Sequence, residues 1–149
     1  QNSTETAQTL IERGANVNNR SGWGNTPLHA ATAQGNIKLI KLLLKEGAEI
    51  GAIDRLGRTA LHWVAEKGHL HIAKFLMING AFVHHKDNDG HTPLHEAAKW
   101  DQKKMIKLFL THGANVNSKG SDGRGPLHIA IANGNMDIAN LLKKHGAEL

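Results

Sequence analysis

The sequence predicts an all-α solenoid of stacked helix-turn-helix units, each opening with a hairpin-like turn tip. Two observations carry this prediction. A tetrapeptide of the form Thr-Pro-Leu-His returns every 33 residues, starting at Thr26, Thr59, Thr92 and Gly125. A Gly-Ala pair keeps the same interval, at Gly14, Gly47, Gly80, Gly113 and Gly146. One such unit cannot bury its apolar face alone, so consecutive units must stack.

Each unit begins with a tight turn that leads into a short first helix. Residues 54–57 and 87–90 place Asp first and Gly fourth, which is the preference of a type I turn. Pro27, Pro93 and Pro126 then occupy the first helical turn, where no hydrogen-bond donor is lost. Glycine supplies the left-handed residue that ends this helix in three units, at Gly35, Gly68 and Gly134.

The second helix of each unit is amphipathic. Ile37, Ile40 and Leu43 recur at helical spacing against lysines, which indicates one buried stripe. The third unit differs, because Asp101 stands where the others have glycine and Lys103 takes an apolar position. A non-glycine residue in the left-handed region costs about 1 kcal/mol. We therefore expect the second helix of that unit to start late or to lie further out.

A turn and two helices per 33 residues, carrying T-P-L-H-x-A and closing on Gly-Ala, resemble the ankyrin repeat over essentially the whole chain. The predicted repeats are residues 19–51, 52–84, 85–117 and 118–149, called repeats one to four below, and residues 1–18 look like the second helix of a truncated repeat. Because the chain starts within a repeat and lacks an initiator Met, we expect a fragment of a longer protein. The resemblance implies an L-shaped stack whose turn tips and first helices line a concave face.

Composition and motifs argue against an enzyme. The 149 residues include no cysteine, which excludes disulfides, thiolate zinc sites and a cysteine nucleophile and favours a reducing compartment, cytoplasmic or nuclear. No apolar run is long enough to cross a membrane. Gly-rich phosphate loops, nucleophile elbows and metalloprotease helices are also missing. The sequence predicts no catalytic residue and no cofactor.

Histidine is the one metal-binding residue type in excess, with 11 copies. Four of these belong to the repeated tetrapeptide, and the ankyrin resemblance implies that their rings hydrogen-bond neighbouring turns. His84, His85 and His91 are the remaining candidates for a nitrogen-rich site, since imidazole binds zinc and copper. We favour exposed loop histidines, and so predict no metal.

The net charge of +5 raises nucleic-acid binding as an alternative. Half of the 18 cationic residues are lysines of the second helices, where polar side chains normally face solvent. The predicted concave face mixes both signs of charge, whereas phosphate recognition favours a groove of one sign. Nucleic-acid binding is therefore the less favoured interpretation.

Protein recognition remains, and the positions that differ between repeats predict its site. We expect a monomeric module that binds a protein or peptide through the concave face, the alternative being a targeting or regulatory region of a larger enzyme, channel or effector. The predicted partner-binding residues lie on the turn tips and first helices: Trp23, Arg55, Leu56, Arg58, Trp63, Glu66, Lys67, Asn88, Asp89, His91, Glu96, Lys99, Trp100 and Arg124.

All three tryptophans of the chain fall in this set. Helical spacing predicts a two-by-two patch of Trp63, Lys67, Glu96 and Trp100 on neighbouring helices. A narrower hypothesis is that both indoles, with Glu66 or Glu96, cage a lysine or methyl-lysine of the partner. The competing interpretation is structural: Trp63 wedges between stacked first helices and Trp100 covers the turn between helices.

Overall fold

Helices occur in pairs along the chain, each pair joined by a very short turn. The structure is a computed structural model that describes residues 2–149. Over that range the helices are α1 (Asn2–Glu12), α2 (Pro27–Gln34), α3 (Ile37–Lys45), α4 (Ala60–Lys67), α5 (Leu70–Ile78), α6 (Pro93–Lys99), α7 (Lys103–Thr111), α8 (Pro126–Ala132) and α9 (Met136–Lys144), with no β-strand among the described residues.

The first helices begin and end where the sequence predicts. Thr26, Thr59 and Thr92 are the N-cap residues of α2, α4 and α6. Gly35 and Gly68 end α2 and α4 with φ of 69° and 77°, values that a side chain with a Cβ rarely adopts. Each helix pair lies inside one predicted repeat interval, and α1 lies inside residues 1–18.

The repeats stack through their first helices. The leucine of each repeated tetrapeptide is fully buried: Leu28, Leu61, Leu94 and Leu127. Alanines beside them are buried as well, so the backbones of α2, α4, α6 and α8 approach closely. These first helices pack against one another more extensively than the second helices do, which makes the stack tighter on that side. The all-α repeat solenoid is confirmed.

Backbone hydrogen bonds join each turn tip to the next. The amide of Arg55 donates to the carbonyl of Trp23 (3.0 Å), and the amide of Asn88 donates to that of Leu56 (2.9 Å). One repeat further, the amide of Ser121 donates to the carbonyl of Asp89 (2.8 Å). The tips therefore form a continuous row that holds variable side chains in a fixed spacing.

The repeated histidines link first helices to the following turn. Nδ1 of His62 accepts the backbone N–H of Thr59 (3.2 Å), so its ring proton lies on Nε2, which donates to the carbonyl of His91 (3.0 Å). His29 and His95 make the equivalent bonds to the carbonyls of Arg58 and Arg124. Burial lowers the pKa of His62 and of His95 to about 4 despite these hydrogen bonds.

The expected displacement of the second helix in repeat three is wrong. Asp101 does adopt the left-handed conformation, with φ of 59°, but α7 begins two residues later, as α3 and α5 begin two residues after Gly35 and Gly68. Asn135, the N-cap residue of α9, donates from its side-chain amide to the Asp101 carboxylate. This bond to the next repeat supports a conformation that aspartate tolerates better than most residues.

No helix within residues 2–149 combines the length and the apolar character that a bilayer span requires.

Candidate partner-binding groove

Two adjoining hollows lie along the turn tips and first helices, and together they form what we call the tip groove. The first hollow, of about 190 Å³, lies between repeats one and two and is lined by Trp23, Asn25, Asp54, Arg55, Leu56, Arg58 and Trp63. The second, of about 300 Å³, lies between repeats two and three and is lined by Leu56, Arg58, Glu66, Asp87, Asp89, His91, Glu96, Lys99 and Trp100. They share Leu56 and Arg58, so they form one surface.

Most residues that the sequence predicts for partner binding line these hollows. Eleven of the fourteen do so, and the exceptions are Lys67, Asn88 and Arg124. The Asn88 side chain donates to the carbonyl of Arg55 (2.9 Å), and so ties one tip to the next. The Lys67 ammonium pairs with Glu66 (3.4 Å).

The first hollow is built around Arg58. Its Nε donates to Oδ2 of Asp54 (3.0 Å), and its Nη1 donates to Oε2 of Glu66 (3.3 Å). The guanidinium carbon lies 5.0 Å from the ring centre of Trp63, a cation–π contact. The Trp63 indole also donates to Oδ2 of Asp54 (3.0 Å), and the ring of His29 packs edge-on against it at 5.5 Å.

Asp54 was predicted only as a turn residue, and its second role was missed. Burial raises the pKa of its carboxyl group, but hydrogen bonds from the Arg58 amide and the Trp63 indole, together with the Arg58 charge, outweigh burial and hold the pKa below its usual value. The four-residue spacing from Asp54 to Arg58 was the available signal. This carboxylate organises the whole first hollow.

The second hollow contains a buried carboxylate. Glu96 is only 6% exposed, and its Oε2 accepts the indole N–H of Trp100 at 3.1 Å. The ammonium of Lys99 lies 5.6 Å from the centre of the Trp100 ring. His91 stacks on His95, with ring centres 4.9 Å apart. A negative group and an aromatic face thus adjoin in one hollow.

The members of the predicted two-by-two patch are distributed over the two hollows and their edge. Glu96 and Trp100 adjoin, but Trp63 lines the first hollow and Lys67 lines neither. The two indoles thus line different hollows of the tip groove. None of the three tryptophans is buried, while Trp63 alone has its ring packed between an arginine and a histidine.

The three candidate metal-binding histidines have separate neighbours. His84 packs against Phe82 (5.2 Å), His85 against His62 (6.0 Å) and His91 against His95. In the described part of the chain, atoms of Asp87, His91 and Glu96 that could bind a metal lie within 4.8 Å of one another. This group combines His91 with two carboxylates that sequence reasoning did not connect to it.

The lysines of the second helices face solvent, as predicted. All nine are exposed, and they lie on the opposite element of each pair from the tip groove: Lys38, Lys41, Lys45, Lys74, Lys103, Lys104, Lys107, Lys143 and Lys144.

The paired helices, the row of turn tips and the 33-residue period define a repeat solenoid. The family model for ankyrin repeats (3 copies) matches residues 1–87 and again residues 64–149. The chain therefore belongs to the ankyrin repeat family. A comparison with curated proteins gives no match. Ankyrin repeats are generally protein–protein interaction modules, and they are generally non-catalytic.

Proposed function

We propose that this chain is a non-catalytic module that binds a partner protein or peptide through the tip groove. The observation that carries the proposal is the pair of adjoining hollows that share Leu56 and Arg58. The groove lies on the turn tips and first helices, the elements that the ankyrin pattern assigns to the concave face. An extended peptide laid along it would contact three consecutive repeats.

Exposed aromatic and apolar side chains in the groove support this proposal. Trp23 is 76% exposed, Leu56 is 58% exposed and Trp100 is 48% exposed. Large apolar groups of this kind, set among charged residues, are typical of the anchors that dominate interface energies. The aligned tips hold them in place before binding, which lowers the entropy cost of association.

A peptide-display selection tests the proposal. The folded chain is used as bait, and selected peptides are titrated against the wild type and the variant Trp23→Ala with Leu56→Ala. We expect that variant to weaken binding by about tenfold or more, because interface anchors often contribute about 2 kcal/mol each.

The matched control removes two exposed apolar side chains outside the groove. Ile78 and Phe82 are as exposed as Trp23 and Leu56, and neither lines a groove hollow. The variant Ile78→Ala with Phe82→Ala should bind the selected peptides as the wild type does. Peptides that lose affinity only with this control pair would assign binding to another surface and overturn the proposal.

A further inference from the structure

Repeat two contains a complete arginine site made from its own residues. The Arg58 guanidinium donates hydrogen bonds to the carboxylates of Asp54 and Glu66, and it stacks on the ring of Trp63. Lys67 pairs with the other oxygen of Glu66, at 3.4 Å. The five side chains together carry no net charge. Every carboxylate among them has a cationic partner.

Residues 33 positions later occupy the corresponding places in repeat three but include no arginine. His91 replaces Arg58 and Glu96 replaces Trp63, while Asp87 keeps the turn position of Asp54. Lys99 and Trp100 replace Glu66 and Lys67. The His91 ring stacks on His95, and one of its nitrogens lies within 4.8 Å of the Asp87 and Glu96 carboxylates without forming an ion pair with them. Across these five positions the number of carboxylates stays at two, while the two cations Arg58 and Lys67 give way to the single ammonium of Lys99.

Glu96 is therefore a largely buried carboxylate that makes no ion pair with the described residues. The residue is 6% exposed, and the Trp100 indole donates to its Oε2. Among residues 2–149, no ion pair involves Glu96, Asp87 or Asp89, although all three line the second hollow. A buried carboxylate is costly unless a cation or further hydrogen bonds compensate it.

Two cationic groups of the chain also line this hollow, and neither compensates Glu96. Arg58 is already held by Asp54 and Glu66. Lys99 is exposed and lies over the Trp100 ring, so its ammonium group can move into solvent as another cation enters. In the 33-residue register, Asp87 and Glu96 correspond to Asp54 and Trp63, the residues that surround the Arg58 side chain one repeat earlier.

We propose that the second hollow binds the guanidinium group of an arginine side chain from the partner, in the place that Arg58 fills in repeat two. The inference rests on the proposed function and names the chemistry of its anchor. A planar guanidinium can donate to Asp87 and Glu96 together while stacking on the Trp100 ring. Arginine in the partner thus completes a site for which repeat two is the template.

A metal ion is the other cation that this hollow could hold, and the hydrogen bonds that its carboxylates already accept disfavour it. Atoms of Asp87, His91 and Glu96 that could bind a metal lie within 4.8 Å of one another, and a metal bound at about 2.0–2.2 Å requires donor atoms roughly 3–3.5 Å apart. The Asp87 Oδ1 atom already accepts the amides of Asp89 and His91, and Glu96 Oε2 accepts the indole of Trp100. An extended guanidinium accommodates these prior bonds.

The test uses nuclear magnetic resonance and a small probe, N-acetyl-argininamide. The chain contains three tryptophans, so three indole N–H signals report separately on Trp23, Trp63 and Trp100. We expect the probe to shift the Trp100 signal in a saturable manner, with a dissociation constant of about 1–10 mM, and to leave the Trp63 signal nearly unmoved. N-acetyl-citrullinamide, which has the same shape without the charge, should cause no saturable shift.

Two variants and a control identify the site. Glu96→Gln keeps the acceptor for Trp100 but removes the charge, and should weaken probe binding by about fivefold or more. His91→Arg supplies the missing guanidinium from the chain, and should abolish probe binding while raising the thermal midpoint. Glu46→Gln removes an exposed charge at the end of α3 and should leave binding unchanged.

Three results would overturn the arginine site. The first is that the citrulline probe binds as tightly as the arginine probe, and the second is that up to about 50 mM arginine probe leaves the Trp100 signal unshifted. The third is that micromolar Zn²⁺ shifts the Trp100 signal and the arginine probe does not compete with it. Failure here is distinct from failure of the proposed function. Selected peptides that bind the tip groove without a basic residue would leave the groove in place and remove only its arginine anchor.

Discussion

Repeats two and three share one backbone frame but treat charge in opposite ways. In repeat two, Asp54 and Glu66 both pair with Arg58, and Trp63 stacks on the resulting group. In repeat three, Glu96 is as buried as Asp54, at 6% exposure, but has no ion pair among the described residues. The comparison indicates that repeat two pairs its variable charges internally, while repeat three contains the carboxylate that we propose a partner arginine completes.

Repeats two and three each contain a buried neutral histidine, and acid should lower the free energy of unfolding through both. His62 and His95 have pKa values lowered by burial to about 4, so the unfolded chain binds protons more readily than the folded one below pH 6.5. Their stabilising contribution is complete above pH 6.5 and declines as the pH falls toward 4. We expect each histidine to cost about 3 kcal/mol at pH 4.

Urea unfolding at a series of pH values measures this effect. His112→Gln, a change at an exposed histidine outside the repeated tetrapeptides, should leave the pH dependence unaltered. A free energy of unfolding that stays level between about pH 7 and about pH 4.5 would contradict the buried, neutral state of the two rings.

Replacing the turn aspartates Asp54 and Asp87 should destabilise the protein by different amounts. Asp54 accepts hydrogen bonds from the amides of Leu56 and Arg58, from Nε of Arg58 and from the indole of Trp63. Asp87 accepts only those from the amides of Asp89 and His91. We expect Asp54→Ala to lower the free energy of unfolding by about 3 kcal/mol and Asp87→Ala by about 1 kcal/mol. Equal losses in chemical denaturation would remove the distinction.

Trp63 should act mainly in packing, and Trp100 mainly in partner recognition. Trp63 is held by Arg58, His29 and Asp54, so Trp63→Ala should destabilise the chain by about 2 kcal/mol. Trp100 is 48% exposed, so Trp100→Ala should lower the free energy of unfolding by about 1 kcal/mol or less. The same variant should weaken the binding of the selected peptides. Thermal unfolding and peptide titration of both variants provide the check. The opposite pattern would return Trp100 to a purely structural role.

The smallest expected difference in stability concerns the left-handed residues that follow the first helices of repeats two and three, Gly68 and Asp101. Gly68 has φ of 77°, and a Cβ there would lie 2.5 Å from Oε1 of Gln102, so Gly68→Ala should cost about 1 kcal/mol. Asp101→Gly should change stability by less than about 0.5 kcal/mol, because relief of the left-handed strain offsets the lost bond to Asn135. A large stabilisation by the glycine variant in thermal unfolding would show that the bond contributes nothing.

Much of the groove was predictable, and the misses have a common cause. The 33-residue period placed Trp23, Leu56 and Trp100 on the turns and first helices, where they are exposed in the structure. Sequence reasoning also placed Trp63 and Trp100 in one patch, whereas they line two adjoining hollows that share Leu56 and Arg58. Helical spacing gives the face of a helix but not which side chains meet across repeats.

Asp101 illustrates the same limit at the level of the backbone. Its substitution for glycine predicted the left-handed residue correctly but predicted a displaced helix wrongly. The compensating hydrogen bond comes from Asn135, in the following repeat. Local preference sets the cost of a conformation, whereas a partner distant in sequence decides whether that cost is offset.

The sequence alone determined the period, the helices, their ends and the face on which the variable residues lie, because each depends on preferences and spacings within about 33 residues. Tertiary structure alone decided that Arg58 closes between two carboxylates and that Glu96 becomes buried without a cation. Burial and ion pairing depend on distances between atoms of neighbouring turns and helices. Those distances exist only after the repeats have stacked.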